Sequence, residues 1–379
     1  MKTEEITSRI KEKARRLGFD HVGVCRATTP PGGSRFDEWL ARGYAGDMSY
    51  LSERRDAYRH PSGVLEGVRS LVMLAAHYEP TAPERLEAGK GRVARYATGS
   101  EDYHDTLRRR LHQLSDYLRE LRPEATTRGV VDTAPLMERE FAQLAGLGWI
   151  GKNTLLINKG TGSYFFLAAV LTDEELLYDQ PFEADHCGSC TACLEACPTG
   201  AFPEPYVLDA SRCISYLTIE HRSPIDEGLR VAMGEWSFGC DVCQQVCPWN
   251  RDAPPTVEAA FKAVEEFSPF DLRALFFLDE SDFRRRFRHT PLWRPHRRGL
   301  LRNAAIVLGN QQDGDAVLAL SQGLQDEEPL VSGASAWALG QLSSETAEQA
   351  LRAKLGVETN EYVLQEVRSA LGSIDARKH

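Results

Sequence analysis

The stretch "CGSCTACLEACPTG", residues 187–200, sets Cys187, Cys190, Cys193 and Cys197 at the spacing C-x2-C-x2-C-x3-C-P. Thiolates at these intervals form the ligand run of an iron–sulfur site. A second run, Cys240, Cys243 and Cys247 in "GCDVCQQVCPWN", keeps C-x2-C-x3-C-P and lacks a first ligand. Cys213, in "SRCISYL", is the candidate to supply it. The two runs mark residues 178–255 as a double-cluster module, with other domains on either side.

In two-cluster ferredoxins the fourth cysteine of each run serves the other cluster. Carried over, Cys187, Cys190, Cys193 and Cys247 hold one 4Fe-4S cluster, and Cys197, Cys213, Cys240 and Cys243 hold the second. Eight of the nine cysteines are then used. Cys25, in the strand-like "HVGVCRA", is left over and reads as a small core residue. Structural zinc is the alternative, since thiolates also suit zinc; interleaved runs closed by Cys-Pro are foreign to zinc ribbons.

A chain of 379 residues, 42% hydrophobic and 26% charged, has the composition of an ordinary globular protein of two to three domains. No apolar run reaches the roughly 18 residues of a membrane span; "YFFLAAVL" is about the longest. The N-terminal "MKTEEITSRIKEKARRLGF" contains Arg15 and Arg16 but no apolar core after them, so it does not read as an export signal. A cytoplasmic monomer is expected, where thiols stay reduced and serve metals rather than disulfides.

Residues 1–177 read as an α/β domain. A helix is expected over 4–17, then the strand "HVGVCRA" and a buried strand over 70–78. Leu107, Leu111, Leu114, Leu118 and Leu121 recur at helical spacing after Asp102, which suits an N-cap. A strand then ends near Asp132, a helix begins at Pro135, and strands follow near 154–158 and at "SYFFLAAVLT". Neither G-x-G-x-x-G nor G-x-x-x-x-G-K-[ST] occurs, so no Rossmann or P-loop nucleotide site is indicated.

Taken in order, "DYHDTLRRRL", "VVDTAPLMERE", "GWIGKNTLLI", "GSYFFLA", "CISYLTIEHR" and the two cysteine runs resemble the epoxyqueuosine reductase family over about residues 1–310. The resemblance implies cobalamin in the N-terminal domain, two 4Fe-4S clusters feeding its cobalt from an external low-potential electron donor, and tRNA as partner. The substrate it implies is epoxyqueuosine at the wobble position, reduced to the cyclopentene with loss of water. "DYHDTL" has Leu107 where the D-x-H-x-x-G signature of histidine-ligated cobalamin has glycine, so a base-off cofactor without a protein histidine is expected.

Asp132, at the family's "VDT" position, is implied as the general acid that protonates the departing oxygen. A carboxyl that donates near neutral pH is expected in an apolar pocket; read alone, an Asp before Thr-Ala-Pro is a turn or helix cap. Tyr103 and His104 line the site or merely pack at a helix start. Arg139 orients Asp132 or a phosphate, or forms a surface pair with Glu138 or Glu140. Cobalamin contacts are expected from Arg59, Asp132, Lys152, Asn153, Leu156, Leu167, Ser215 and Asp241. Arg59 stands one residue nearer the proline than is usual in the family.

A net charge of −10 argues against a general nucleic-acid binder. Yet "RRRFRHTPLWRPHRRGLLR", residues 284–302, holds eight arginines and no acid. Arg284, Arg285, Arg288, Arg294, Arg297, Arg298 and Arg302 are the expected tRNA contacts, with Phe287 and Trp293 to stack on bases. A solvated basic connector over 256–300 is the bland alternative. Beyond it, "AIVLG", "AWALG" and "RSALG" place Gly309, Gly340 and Gly372 about 31 residues apart, a period for three HEAT-like helical hairpins over 301–379. The expected whole is multidomain, α/β plus α. The functional alternatives are another cobalamin and iron–sulfur reductase, such as a reductive dehalogenase, or a non-enzymatic electron carrier.

Overall fold

The computed structural model describes residues 2–78, 81, 85–342 and 344–378. Its chain divides into two compact units, Met1–Thr81 with Gly99–Ser211 and Asp241–Lys262, and Ala82–Thr98 with Arg212–Cys240 and Ala263–His379. Neither is continuous in sequence, and the 178–255 stretch contributes to both. Among the described residues, no helix is long and apolar enough to cross a membrane.

Unbroken apolar runs such as "SLVMLAAH" form strands covered on both faces. In the first unit, β1 (His21–Arg26), β2 (Ser70–His77), β3 (Thr127–Val130) and β4 (Phe165–Thr172) make a sheet of order β1-β2-β4-β3, with every pair antiparallel. β2 is buried at every position, and β4 at every position but Leu167. Helices α1 (Thr3–Arg16), α2 (Tyr103–Leu121) and α3 (Glu138–Leu144) cover the sheet. Phe141 and Ala142 of α3 pack with Leu71, Met73 and Ala75 of β2. Against β3, α2 comes so close that a Cβ on Gly129 would lie 2.8 Å from Leu111 Cβ. Cys25 is a core residue; its thiol donates to Phe141 O at 3.5 Å, and burial pushes it up to about 12.

The helix expected from Pro135 begins at Glu138. Residues 131–137 make two successive turns instead, with Ala134 N donating to Val131 O at 3.0 Å and Leu136 N to Ala134 O at 2.8 Å. Asp132 therefore sits on a loop just past the edge strand β3.

The second unit carries a small sheet of Trp236–Phe238, Lys90–Val93 and Phe270–Asp271. Among the described residues six α-helices follow: α4 (Glu280–Phe287), α5 (His296–Asn310), α6 (Val317–Leu324), α7 (Pro329–Gln341), α8 (Glu345–Leu355) and α9 (Glu361–Lys378). The basic stretch is thus folded and not a connector, because Phe283 and Phe287, both 0% exposed, anchor α4. The repeat is two helical pairs and a closing helix, α5–α6, α7–α8 and α9, rather than three hairpins. Two of its glycines mark helix crossings: a Cβ on Gly309 would meet Trp337 Cζ3 at 2.7 Å, and one on Gly340 would meet Ala370 Cβ at 2.6 Å. Gly372 has nothing within 4 Å.

Gly340→Ala and Gly372→Ala should accordingly differ in sign. The first overpacks a crossing and should cost about 1–3 kcal/mol. The second replaces a helical glycine facing open space and should gain up to about 1 kcal/mol. Urea denaturation of the two variants checks the contrast; equal effects would remove the crossing from the account.

Candidate active site

Asp102 caps α2, accepting from His104 N at 3.0 Å. The same carboxylate oxygen lies 2.6 Å from His104 Nδ1, and His104 Nε2 lies 2.6 Å from Asp132 Oδ1. Tyr103 Oη donates to Asp132 Oδ2 at 2.5 Å. Tyr103 is fixed in turn by stacking on Phe166, with centroids 4.2 Å apart and planes 8° from parallel. Tyr103 and His104 are 6% and 3% exposed, packed at the helix start with their polar atoms turned to Asp132.

Asp132 is not in an apolar pocket; its side chain is 41% exposed. Its carboxylate is held by hydrogen bonds instead. Two close N···O contacts flank one imidazole, and each needs a proton between its atoms. Either His104 is imidazolium between two carboxylates, or one carboxyl is protonated and the imidazole neutral. A shift of one proton across the 2.6 Å gap between His104 Nε2 and Asp132 Oδ1 interconverts the two.

Glu138, half-buried in the first turn of α3, adds a second acid. Desolvation pushes it up to about 7; the nearby Arg139 opposes this and Asp132 reinforces it. Arg139 does not orient Asp132: its Nη1 donates to Thr154 O at 2.7 Å. Glu140 is also engaged apart from Arg139, accepting from Gly32 N at 2.7 Å.

The thiols of Cys187, Cys190, Cys193 and Cys247 all lie in the first unit. Burial raises Cys193 and Cys247. Cys187 and Cys190 push both further up, and Cys247 also acts on Cys193, so the four sulfurs sense one another. Iron must displace these protons when it binds. Trp149 and Cys247 are buried together with Cys187 and Trp249 packed around them, and Trp149 Nε1 has no acceptor there. A buried donor beside thiols fits an acceptor-rich cluster. Among the described residues no three His, Cys, Asp or Glu are placed to hold a single metal ion; a four-iron cubane, held by one thiolate at each iron, asks for a wider cage. Cys213 precedes the helix Ile214–Ile219, Cys240 follows the strand Trp236–Phe238, and Cys243 lies in the helix Val242–Gln245.

The residues expected to meet cobalamin fit it unevenly. Lys152 Nζ donates to Gly188 O at 2.6 Å and Cys190 O at 3.0 Å, clamping the cysteine loop. Asn153 is buried, with Nδ2 donating to Cys243 O at 3.4 Å, and Leu156 is part of the core. These three also make the named contacts within the protein. Asp241 is buried, Ser215 is half-buried, and Leu167 is the half-exposed position of β4. Arg59 is exposed and paired with Asp56 at 3.1 Å and Asp37 at 3.6 Å. Asp132, Arg59 and Leu167 keep surface that a large cofactor can meet. His104 spends both ring nitrogens on carboxylates.

The basic stretch needs correction. Arg302 is 1% exposed, and its guanidinium donates to the carbonyls of Leu217, His221 and Ser223. It is a buried hub and reaches no partner. Phe287 is in the core and cannot stack on a base. Arg297 is half-buried against Asp326 at 2.7 Å, Arg285 pairs with Asp282, and Arg298 faces Glu328 at 3.8 Å. Arg284 and Arg288 are exposed and Arg294 half-exposed.

A cage of thiols and a hydrogen-bonded aspartate beside one sheet define a double-cluster iron–sulfur protein of the reductase type. Family models agree: the 4Fe-4S double cluster binding domain matches residues 186–250, epoxyqueuosine reductase QueG, DUF1730 matches 59–133, and HEAT repeats match 298–372. The epoxyqueuosine reductase of Pseudomonas aeruginosa is 41% identical over 305 residues, 79% of this chain and 84% of that one. A crystal structure of epoxyqueuosine reductase with an epoxyqueuosine-modified tRNA-Tyr stem loop superposes with a TM-score of 0.91 at 29% identity, covering 98% of this chain and 99% of that one. The enzyme from Bacillus subtilis, with its catalytic aspartate loop swung out of the active site, gives 0.89 at 28% identity over 98% and 99%. This chain belongs to the epoxyqueuosine reductase family.

Glu138 generates a pH prediction. Between its ordinary 4.5 and about 7, the folded carboxyl holds a proton that the unfolded one has lost, so stability should fall as pH rises through that window. The slope is at most about 1.4 kcal/mol per pH unit. Glu138→Gln should flatten the fall between pH 5 and pH 8 in urea titrations; an unchanged slope would assign it to other groups.

Proposed function

We propose that this chain reduces epoxyqueuosine to queuosine at the wobble position of tRNA, with Asp132 as proton donor. The array Asp102–His104–Asp132 with Tyr103 carries the reading. Reduction breaks both carbon–oxygen bonds of the epoxide and forms a carbon–carbon double bond, consuming two electrons and two protons and releasing water. An alkoxide leaves poorly unless a proton arrives as its bond breaks. Asp132 supplies that proton, and His104, hydrogen-bonded to Asp102, returns one to it. Tyr103 fixes the carboxyl orientation. Cobalamin, when bound, supplies the low-valent cobalt through which electrons reach carbon; Arg59, Leu167 and Asp132 are the residues left to face it.

Electrons come from an external low-potential donor through two 4Fe-4S clusters, on Cys187, Cys190, Cys193 and Cys247 and on Cys197, Cys213, Cys240 and Cys243. Arg284 and Arg288, exposed in the second unit, are the tRNA contacts of this reading.

The deciding experiment is anaerobic incubation with cobalamin, a reductant and epoxyqueuosine tRNA, followed by nucleoside mass spectrometry. No queuosine from cluster-loaded, cobalamin-bound protein would overturn the reading. Turnover of an organohalide in its place would favour a dehalogenase, and failure to bind cobalamin a plain electron carrier. Asp132→Asn should keep both clusters and cobalamin binding while losing about 10²–10⁴ in rate. Full turnover by this variant would move the acid elsewhere.

The crossed cluster pairing is tested separately. Cys193→Ser and Cys197→Ser should damage different clusters by EPR and iron count; loss of the same cluster in both would refute it.

A further inference from the structure

Against the Asp132 loop lies a cavity of about 380 Å³, bounded by Arg54, Arg108, Arg128, Val131, Thr133 and Pro135 among others. No Asp or Glu is among its described lining residues. In a chain of net charge −10, three guanidiniums sharing one cavity without a carboxylate is a local reversal of sign.

Each guanidinium carries five N–H donors, and the protein engages few of them. Arg54 Nη1 donates to Thr133 O at a long 3.4 Å, and Arg128 Nη1 to Val64 O at 2.7 Å. Among the described residues Arg108 makes one ion-pair contact, 3.6 Å to the exposed Asp105. One wall belongs to β3, whose outer edge has no partner strand within the sheet and so presents backbone polar groups outward. Forked cationic donors around a small open cavity match an oxyanion, carboxylate or phosphate, and with tRNA as the substrate the oxyanion at hand is a backbone phosphate. The volume is at the lower end of small-molecule sites, roughly 300–1,000 Å³. It suits a phosphate with a flanking sugar and is too small for a corrin ring.

Position completes the argument. Val131 and Thr133 line the cavity while Asp132, between them, reaches Tyr103 and His104. A group held in the cavity rests against the backbone of the acid's own loop. We propose that Arg54, Arg108 and Arg128 form a phosphodiester subsite, which grips a backbone phosphate of the substrate tRNA beside the nucleotide presented to Asp132. The inference rests on tRNA being the substrate.

The test uses the full, cluster-loaded, cobalamin-bound protein and an epoxyqueuosine-modified stem loop. Arg108→Gln and Arg54→Gln should each weaken stem-loop binding about tenfold, as expected for one charge-assisted contact. Each should also reduce the magnitude of the log K against log salt slope by about 0.7–0.9. Cobalamin affinity, iron content and melting temperature should stay at wild-type values. Affinity and slope unchanged in both variants would overturn the subsite. Lost cobalamin binding with unchanged stem-loop affinity would overturn it too, giving the cavity to the cofactor's own phosphodiester. A wild-type protein that neither binds nor reduces the stem loop would instead sink the tRNA reading itself, so the two failures are distinguishable.

Discussion

One imidazole held between two carboxylates is the constraint on which the candidate site depends. A carboxylic acid that must donate near neutral pH can be kept protonated by desolvation, or can be resupplied with a proton by a hydrogen-bonded neighbour. With 41% of its side chain exposed, Asp132 has little of the first. The second requires His104 to reach Asp102 and Asp132 at 2.6 Å on either side. That demands an immobile ring, and His104 is immobile because it opens a helix whose apolar face is buried on the sheet. The cap of α2 therefore has two duties, since the Asp102 oxygen that ends the helix also faces His104 Nδ1.

The parts legible in the sequence are those fixed by local rules. Cysteine spacing, the apolar runs of β2 and β4 and Asp102 as a cap each depend on neighbours a few residues away, and the glycine period shows by simple repetition. What escaped depends on contacts that the chain makes across long separations. Asp132 and His104 are 28 residues apart, so an apolar pocket was the natural expectation and a shared proton could not be read. Asp102 was legible as a cap and not as part of the array, although the spacing Asp-x-His was its one visible signal. Lys152 and Asn153 were expected as cofactor contacts through the family resemblance; only the fold shows that they also hold the cysteine loops.

Charge illustrates the same limit from both directions. Residues 284–302 concentrate arginines in sequence, and folding disperses them: Arg302 becomes a buried donor to three carbonyls and Arg297 half-buries against Asp326. A buried guanidinium survives only when its donors are met, which is why Arg302 has so many partners. Arg54, Arg108 and Arg128 are scattered over some 75 residues and form no run at all, yet one cavity gathers them. Sequence density of charge and spatial density of charge are thus separate properties, and recognition depends on the second.

The proposed proton donor Asp132 and the loop of Cys187 and Cys190 are mechanically joined within one unit. The loop of Asp132 leads directly into α3, and Arg139 on α3 holds the carbonyl of Thr154. Thr154 lies two residues from Lys152, whose ammonium ties down the carbonyls of Gly188 and Cys190. Asn153 adds a bond to Cys243 O, in the second cysteine run. Because each link is a charge-assisted or amide bond to a backbone carbonyl, the path fixes main-chain positions rather than side-chain rotamers. The tight "GWIGKN" hairpin is therefore the brace of the site: it lets a short helix and a loop of cysteines share one frame. An acid whose proton must arrive in step with electrons is better served by such a frame than by a loop free to drift.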